Sequence, residues 1–301
     1  MKLPRSAIAA MLVVVLCTRA VGQPHLAPQP VDGTPGQTLR IPLQLAGTAT
    51  PCAGFNATIH LPTGVRFRHV ERGPLLPAGF TLIARSLTDP AANAVAVLAY
   101  SDTGTFSGPG ILCELVVDVP ATMATGDYPV ILDAPDRLPS VRASHALASA
   151  DGQQSLAHTV SDGRLVLAFG DARAARGTPL WWLAGHGLVL DGMTFDEAEL
   201  LIGGAHGFAA WEEYIADTNP TDPADYLHVS GIATGPQVRV LFEPSSTGRV
   251  YTLQFKDDLR TGSWDAVPGA GPRPGLGGPD SISDIDPPAA RFYRIHVRLP
   301  E

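Results

Sequence analysis

From residue 28 to residue 169 the chain is a succession of short alternating runs broken by Gly, Pro, Asn and Asp, and this pattern restricts the fold more than any other feature. Runs at 38–45, 54–61, 80–85, 94–100, 110–119, 128–132 and 164–168 read as strands. In a stretch such as Thr38-Leu39-Arg40-Ile41-Pro42-Leu43-Gln44-Leu45 apolar and other residues alternate, which suits a sheet with one face in a core. Helical periodicity is nearly absent between the runs. The spacing therefore predicts an antiparallel sandwich, since a parallel sheet would need helices between its strands.

The order of these runs resembles a known family. "GQTLRIPLQL", "CAGFNATIHLPTGVRF", "YSDTGTFSGPGILCELVVDVP", "TGDYPVILDA" and "TVSDGRLVL" follow the pattern of a bacterial cohesin or cohesin-like domain over residues 24–169. The resemblance implies a jelly-roll β-sandwich related to carbohydrate-binding modules, without catalytic activity. Its partner would be a calcium-loaded dockerin-type protein module or a polysaccharide.

Residues 171–226 change character. Phe208, Trp211, Tyr214 and Ile215 recur at helical spacing, and Asn219-Pro220-Thr221-Asp222-Pro223 stops the helix. Two short helices are expected, with packing carried by Trp181, Trp182, Trp211 and Tyr214. The segment also resembles the Asp-rich calcium repeats, dockerin-like or thrombospondin-type-3-like, of exported bacterial proteins: Gly207-Phe208-Ala209-Ala210-Trp211-Glu212-Glu213-Tyr214 matches the family's glycine and helix, and Gly177-Thr178-Pro179-Leu180-Trp181-Trp182 matches a companion repeat. The alternate positions before those glycines hold Ile202, Gly204, His206 and Ala172, Ala174, Arg176. Calcium takes six to eight oxygen ligands, several of them carboxylates. These side chains supply none, so no metal and no other cofactor is expected, and the acids Asp191, Asp196, Glu197 and Glu199 read as the capped first turn of a helix behind Asp191 or Thr194.

Residues 227–301 return to alternation in "QVRVLFE", "RVYTLQFKDDL", "WDAVPG" and "ARFYRIHVRL", with a Pro/Gly-rich loop expected over 268–280. They predict a small C-terminal sandwich of fibronectin-III type. The whole reads as mainly β: an N-terminal jelly-roll β-sandwich, a short helical connector and this second β domain.

Residues 1–22 read as a secretory signal peptide, with Lys2 and Arg5 before the apolar run 7–17 and small residues at 20 and 22. That run is too short to span a bilayer. The expectation is a secreted, extracellular or cell-surface protein that does not span the membrane. Its formal charge of −8, more negative still without Lys2, Arg5 and Arg19, disfavours nucleic acid and anionic membranes as partners. Two cysteines then remain, Cys52 and Cys113, and an even pair in an oxidising compartment is expected to form a disulfide.

Catalytic signatures are weak. Asp102-Thr103-Gly104 resembles half of an aspartic protease site, but that chemistry needs two carboxylates sharing a proton. Asp102 and Glu114 are a pair to place for glycoside hydrolysis. The sequence carries no H-E-x-x-H, G-x-S-x-G or phosphate-binding loop. The reading is a non-enzymatic binding module, the alternative being a structural or adhesive matrix or surface protein.

Overall fold

The computed structural model describes residues 23–47, 50–87, 93–132, 145–203, 206–288 and 290–301. The signal-peptide segment, 1–22, lies outside them, as does Gly204.

The strands up to residue 167 are β1 (His25–Pro28), β2 (Val31–Gly33), β3 (Thr38–Ala46), β4 (Cys52–His60), β5 (Arg66–Arg72), β6 (Thr81–Ser86), β7 (Ala94–Tyr100), β8 (Gly110–Asp118), β9 (Gly126–Leu132), β10 (Ala146–Ser149), β11 (Thr159–Val160) and β12 (Gly163–Leu167). One sheet runs β11-β1-β3-β8-β5; the other runs β2-β12-β9-β4-β7-β6, with β10 also on β4. Alternation along each strand turns one set of side chains inward. Ile41, Leu43 and Leu45 of β3 meet Phe55, Ala57 and Ile59 of β4 and Val95, Val97 and Ala99 of β7 in one buried core.

The first and last strands close the sandwich by changing sheets together. β1 lies parallel to β11 in one sheet, and β2 lies parallel to β12 in the other. Pro28 and Pro30, which lack an N–H, flank the crossing and end the first ladder. Gly163 fits beside it because a Cβ there would stand 2.6 Å from the Pro28 carbonyl oxygen.

The expected disulfide is not formed. Cys52 starts β4 and Cys113 lies in β8 of the facing sheet, and both are buried free thiols. The Cys52 thiol donates to the Thr50 carbonyl at 3.6 Å. Burial raises the pKa of both, that of Cys113 to about 12 with the Glu114 charge adding. They act as small hydrophobes held protonated by their apolar surroundings.

Three short helices follow, one more than expected: α1 (Leu180–Gly185), α2 (Phe195–Ala198) and α3 (Ala210–Ala216). Thr194 caps α2 as expected, its hydroxyl accepting from the Glu197 N–H at 3.2 Å while the Glu197 carboxylate accepts from the Thr194 N–H at 2.9 Å. Leu180, Trp182, Leu183, Leu188, Phe195 and Ala210 form a second core. Phe195 meets Phe169 edge-on at 5.8 Å and so seats the helices on the end of the first sandwich.

The remaining strands are β13 (His228–Ala233), β14 (Val238–Ser245), β15 (Val250–Lys256), β16 (Asp265–Ala266), β17 (Arg273–Pro274), β18 (Gly278–Asp284) and β19 (Phe292–Arg298). Sheet β13-β14-β18 packs Val240, Phe242 and Ile282 against Tyr251 and Leu253 of the sheet in which β15 holds β16, β17 and β19. The expected 268–280 loop is thus corrected in part, because β17 and the start of β18 fall inside it. On the other side Arg249 reaches back to α3, donating from Nε to the Ile215 carbonyl and from Nη2 to that of Tyr214, each at 2.8 Å.

Candidate docking face

The two outer faces of the first sandwich carry opposite chemistry. On the β3-β8-β5 side, Arg40 grips Glu71 with two contacts of 3.1 Å, His69 Nε2 adds a third at 3.3 Å, and Arg68 pairs with Asp118 at 2.7 Å. The Arg40 hydrogen bonds, with His69 helping, hold the Glu71 carboxyl below its usual range. Exposed pairs like these add little stability each, but they keep a face hydrated.

The β10-β4-β7-β6 side carries an exposed apolar patch instead. Pairing registers place Ala146, Asn56, Leu98 and Ile83 in one row across four strands. The next row is Ala148, Gly54, Tyr100 and Thr81, and a third carries Thr58, Ala96 and Arg85. Ile83 is 49% exposed, and Leu98 and Tyr100 are each 44% exposed. Gly54 leaves no room for a side chain, since a Cβ there would come within 2.6 Å of the Ala99 carbonyl oxygen. Contiguous exposed apolar side chains rimmed by polar ones mark contact with another macromolecule.

The signal for this face was present in the sequence. Strand β7 reads apolar at every position, whereas a sheet with one wet face alternates. Val95, Val97 and Ala99 explain one set, and the other set, Leu98 with Tyr100, is left facing out.

The aromatic residues assigned to connector packing are divided. Trp182 is buried and meets Tyr214 edge-on, centroids 5.4 Å apart. Trp181 is 54% exposed, which corrects its assignment: it points away from the face that α1 buries through Leu180, Trp182 and Leu183. Trp211 is half-buried beneath the Arg176 guanidinium, 5.1 Å from its ring centroid. The buried face of α3 is Ala210, Glu213 and Ala216, and Phe208 precedes the helix rather than joining its stripe.

The weighed catalytic residues are not assembled. Asp102 and Gly104 lie in a turn after β7 in which Ser101 Oγ accepts from the Gly104 N–H at 2.9 Å. Glu114 stands in β8 of the facing sheet, opposite Pro42 and Glu71. Among the described residues no group of three or more His, Cys, Asp or Glu side chains could hold a metal ion, and no helix is long and apolar enough to cross a membrane. A groove of about 650 Å³ separates α3 from β13 and β19, lined by Phe208, Trp211, Ile215, Val229, Tyr293 and His296 among others. Burial, helped by the charges of Arg294 and Arg298, lowers the His296 pKa.

No protein-family model matches the chain, and no curated protein matches it. Solved structures similar to it include cohesins. A non-cellulosomal cohesin from the hyperthermophilic archaeon Archaeoglobus fulgidus is 14% identical, with 49% of this chain and 92% of that one covered at a TM-score of 0.38. The sixth cohesin of scaffoldin B from Acetivibrio cellulolyticus, solved with a Cel5 dockerin, is 16% identical over 48% of this chain and 99% of its own, at 0.41. CaCohA2 from Clostridium acetobutylicum is 17% identical over 50% and 93%, also at 0.41.

Proposed function

We propose that this is an exported, non-catalytic docking module whose β10-β4-β7-β6 face receives a protein partner at the cell surface. The observation that carries the reading is the exposed Ile83–Leu98–Tyr100 patch on one face, set against the ion-paired face opposite. Interfaces concentrate their energy in a few apolar anchors within a polar rim, and Thr81 and Arg85 of the edge strand β6 supply polar neighbours to the patch here. A dockerin-type module is the partner that the sequence resemblance implies. A polysaccharide would stack on several exposed aromatic rings, whereas these rows offer it Tyr100 alone.

The test is capture on the immobilised full chain from secreted and envelope fractions of the source organism, with and without a calcium chelator. Recovery of one dockerin-bearing protein, lost on chelation, supports the reading. Capture of cell-wall polysaccharide, or of nothing but the chain itself, overturns it in favour of a carbohydrate-binding or matrix role.

A further inference from the structure

The connector contains one local design twice. Gly177 and Gly207 turn the chain at φ +93° and +79°, and α1 and α3 begin three residues later. Gly187 and Asp217 then end those helices in the left-handed region, at +66° and +64°. Next, the N–H groups of Leu188 and Thr218 return to the carbonyls of Leu183 and Glu213, both at 3.1 Å. Leu183 therefore corresponds to Glu213, and Leu188 to Thr218.

A 12-residue calcium loop draws side-chain oxygens from positions 1, 3 and 5, turns on a glycine at 6 and closes on a bidentate glutamate at 12. With Gly207 at position 6, position 12 is Glu213; with Gly177 at position 6, it is Leu183. The first loop thus lacks every one of these side-chain ligands. Its own amides are instead bound by α2 and its C-terminal flank: the Ala175 N–H donates to Asp196 Oδ1 at 2.8 Å, and the Arg176 N–H donates to Glu199 Oε1 at 2.7 Å.

The second loop keeps the closing glutamate, whose two oxygens face His206 and Thr218 of the same chain. His206 Nδ1, from position 5, stands 3.2 Å from Glu213 Oε1, with both side chains almost fully buried. No aligned hydrogen bond joins the two, and the pair is ionic only when the imidazole is protonated. The Thr218 hydroxyl donates to Glu213 Oε2. The imidazole is fixed by stacking between Phe208 and Tyr226, at 5.6 and 5.0 Å. These residues do not fit calcium.

We propose that His206 and Thr218 have replaced the metal in this loop, so that the connector closes on protein groups alone and the chain's own fold is indifferent to calcium. The first repeat solved the same problem with the buried pair Leu183 and Leu188.

Calorimetric titration of calcium into the isolated full chain, paired with thermal unfolding in calcium and in chelator, tests this. No binding heat and one common midpoint are expected, because a ligand held by the folded state alone must raise the midpoint. His206→Ala and Thr218→Val should each lower the midpoint, the first by emptying the buried space beside Glu213 Oε1 and the second by removing the hydrogen bond to Oε2. A calcium-dependent midpoint in the unmodified chain would overturn the proposal, as would a His206→Ala chain as stable as the original. The calcium arm needs no variant to fold, and no partner is present, so the outcome is independent of the docking reading.

Discussion

The Trp182 indole meets the Tyr214 ring edge-on at 5.4 Å, joining α1 to α3, while its neighbour Trp181 stands 54% exposed. Two adjacent tryptophans thus have opposite energetic weight. Trp182→Ala should destabilise the chain by about 3–5 kcal/mol, the range for truncating a buried large aromatic. Trp181→Ala should stay within about 0.5 kcal/mol, as for an exposed side chain. Urea unfolding followed by circular dichroism separates the two, and equal losses would show that both rings pack.

The proposed docking face can be tested directly. Ile83 and Leu98 are directly paired across β6 and β7 and point away from the core. Ile83→Asp and Leu98→Asp should abolish partner capture while shifting the thermal midpoint little, because neither side chain fills the interior. A charge reversal on the far face, Glu71→Arg, should leave capture intact. Loss of capture in Glu71→Arg alone would move the interface to the other sheet.

The two thiols offer a chemical check on the core. Cys52 and Cys113 are buried, and burial holds the reactive thiolate of each far from neutral pH, with Cys113 pushed up to about 12. Iodoacetamide should therefore leave Cys52 and Cys113 unmodified in the folded chain and label both in denaturant without reductant. A chain that takes no label until it is reduced would contain the bridge that the cysteine count suggested.

How far the sequence discloses this molecule depends on where strands keep their apolar side chains. Runs such as 94–100 and 110–119 were legible because their inward residues are Val, Leu and Ala. Strand β5, Arg66-Phe67-Arg68-His69-Val70-Glu71-Arg72, escaped because it lies at a sheet edge with most positions exposed and charged. Strand β18 escaped for the opposite reason, since two of its buried positions are Asp280 and Asp284. The connector's glycine-to-helix spacing was legible in the sequence, whereas the His206–Glu213–Thr218 arrangement depends on side chains meeting across a turn, which no periodicity encodes. The docking face was half-legible: β7 was apolar at every position, but the row from Ala146 to Ile83 needs strand pairing to exist.

One of those buried aspartates, Asp280, couples the stability of the C-terminal sandwich to pH. Arg273 holds Asp280 with contacts of 3.0 and 2.5 Å, and the Ser281 N–H adds another. Burial pushes the Asp280 pKa up, but the Arg273 hydrogen bonds and charge, with the backbone donor, outweigh it and hold the carboxyl below its ordinary 3.8. A carboxyl with a depressed folded-state pKa contributes stability that is fully present above the unfolded value and is lost as pH falls through the folded one. At pH 7 the pair therefore stabilises the C-terminal sandwich, and the contribution should fade from roughly pH 4 downward. Arg273→Ala strands the buried carboxylate and should cost about 3 kcal/mol at pH 7. The same substitution should cost progressively less toward pH 2, because protonation then relieves the stranded charge. Urea midpoints for both chains at pH 7 and pH 3 decide the matter, and a pH-independent difference would show that Arg273 acts through packing rather than through Asp280.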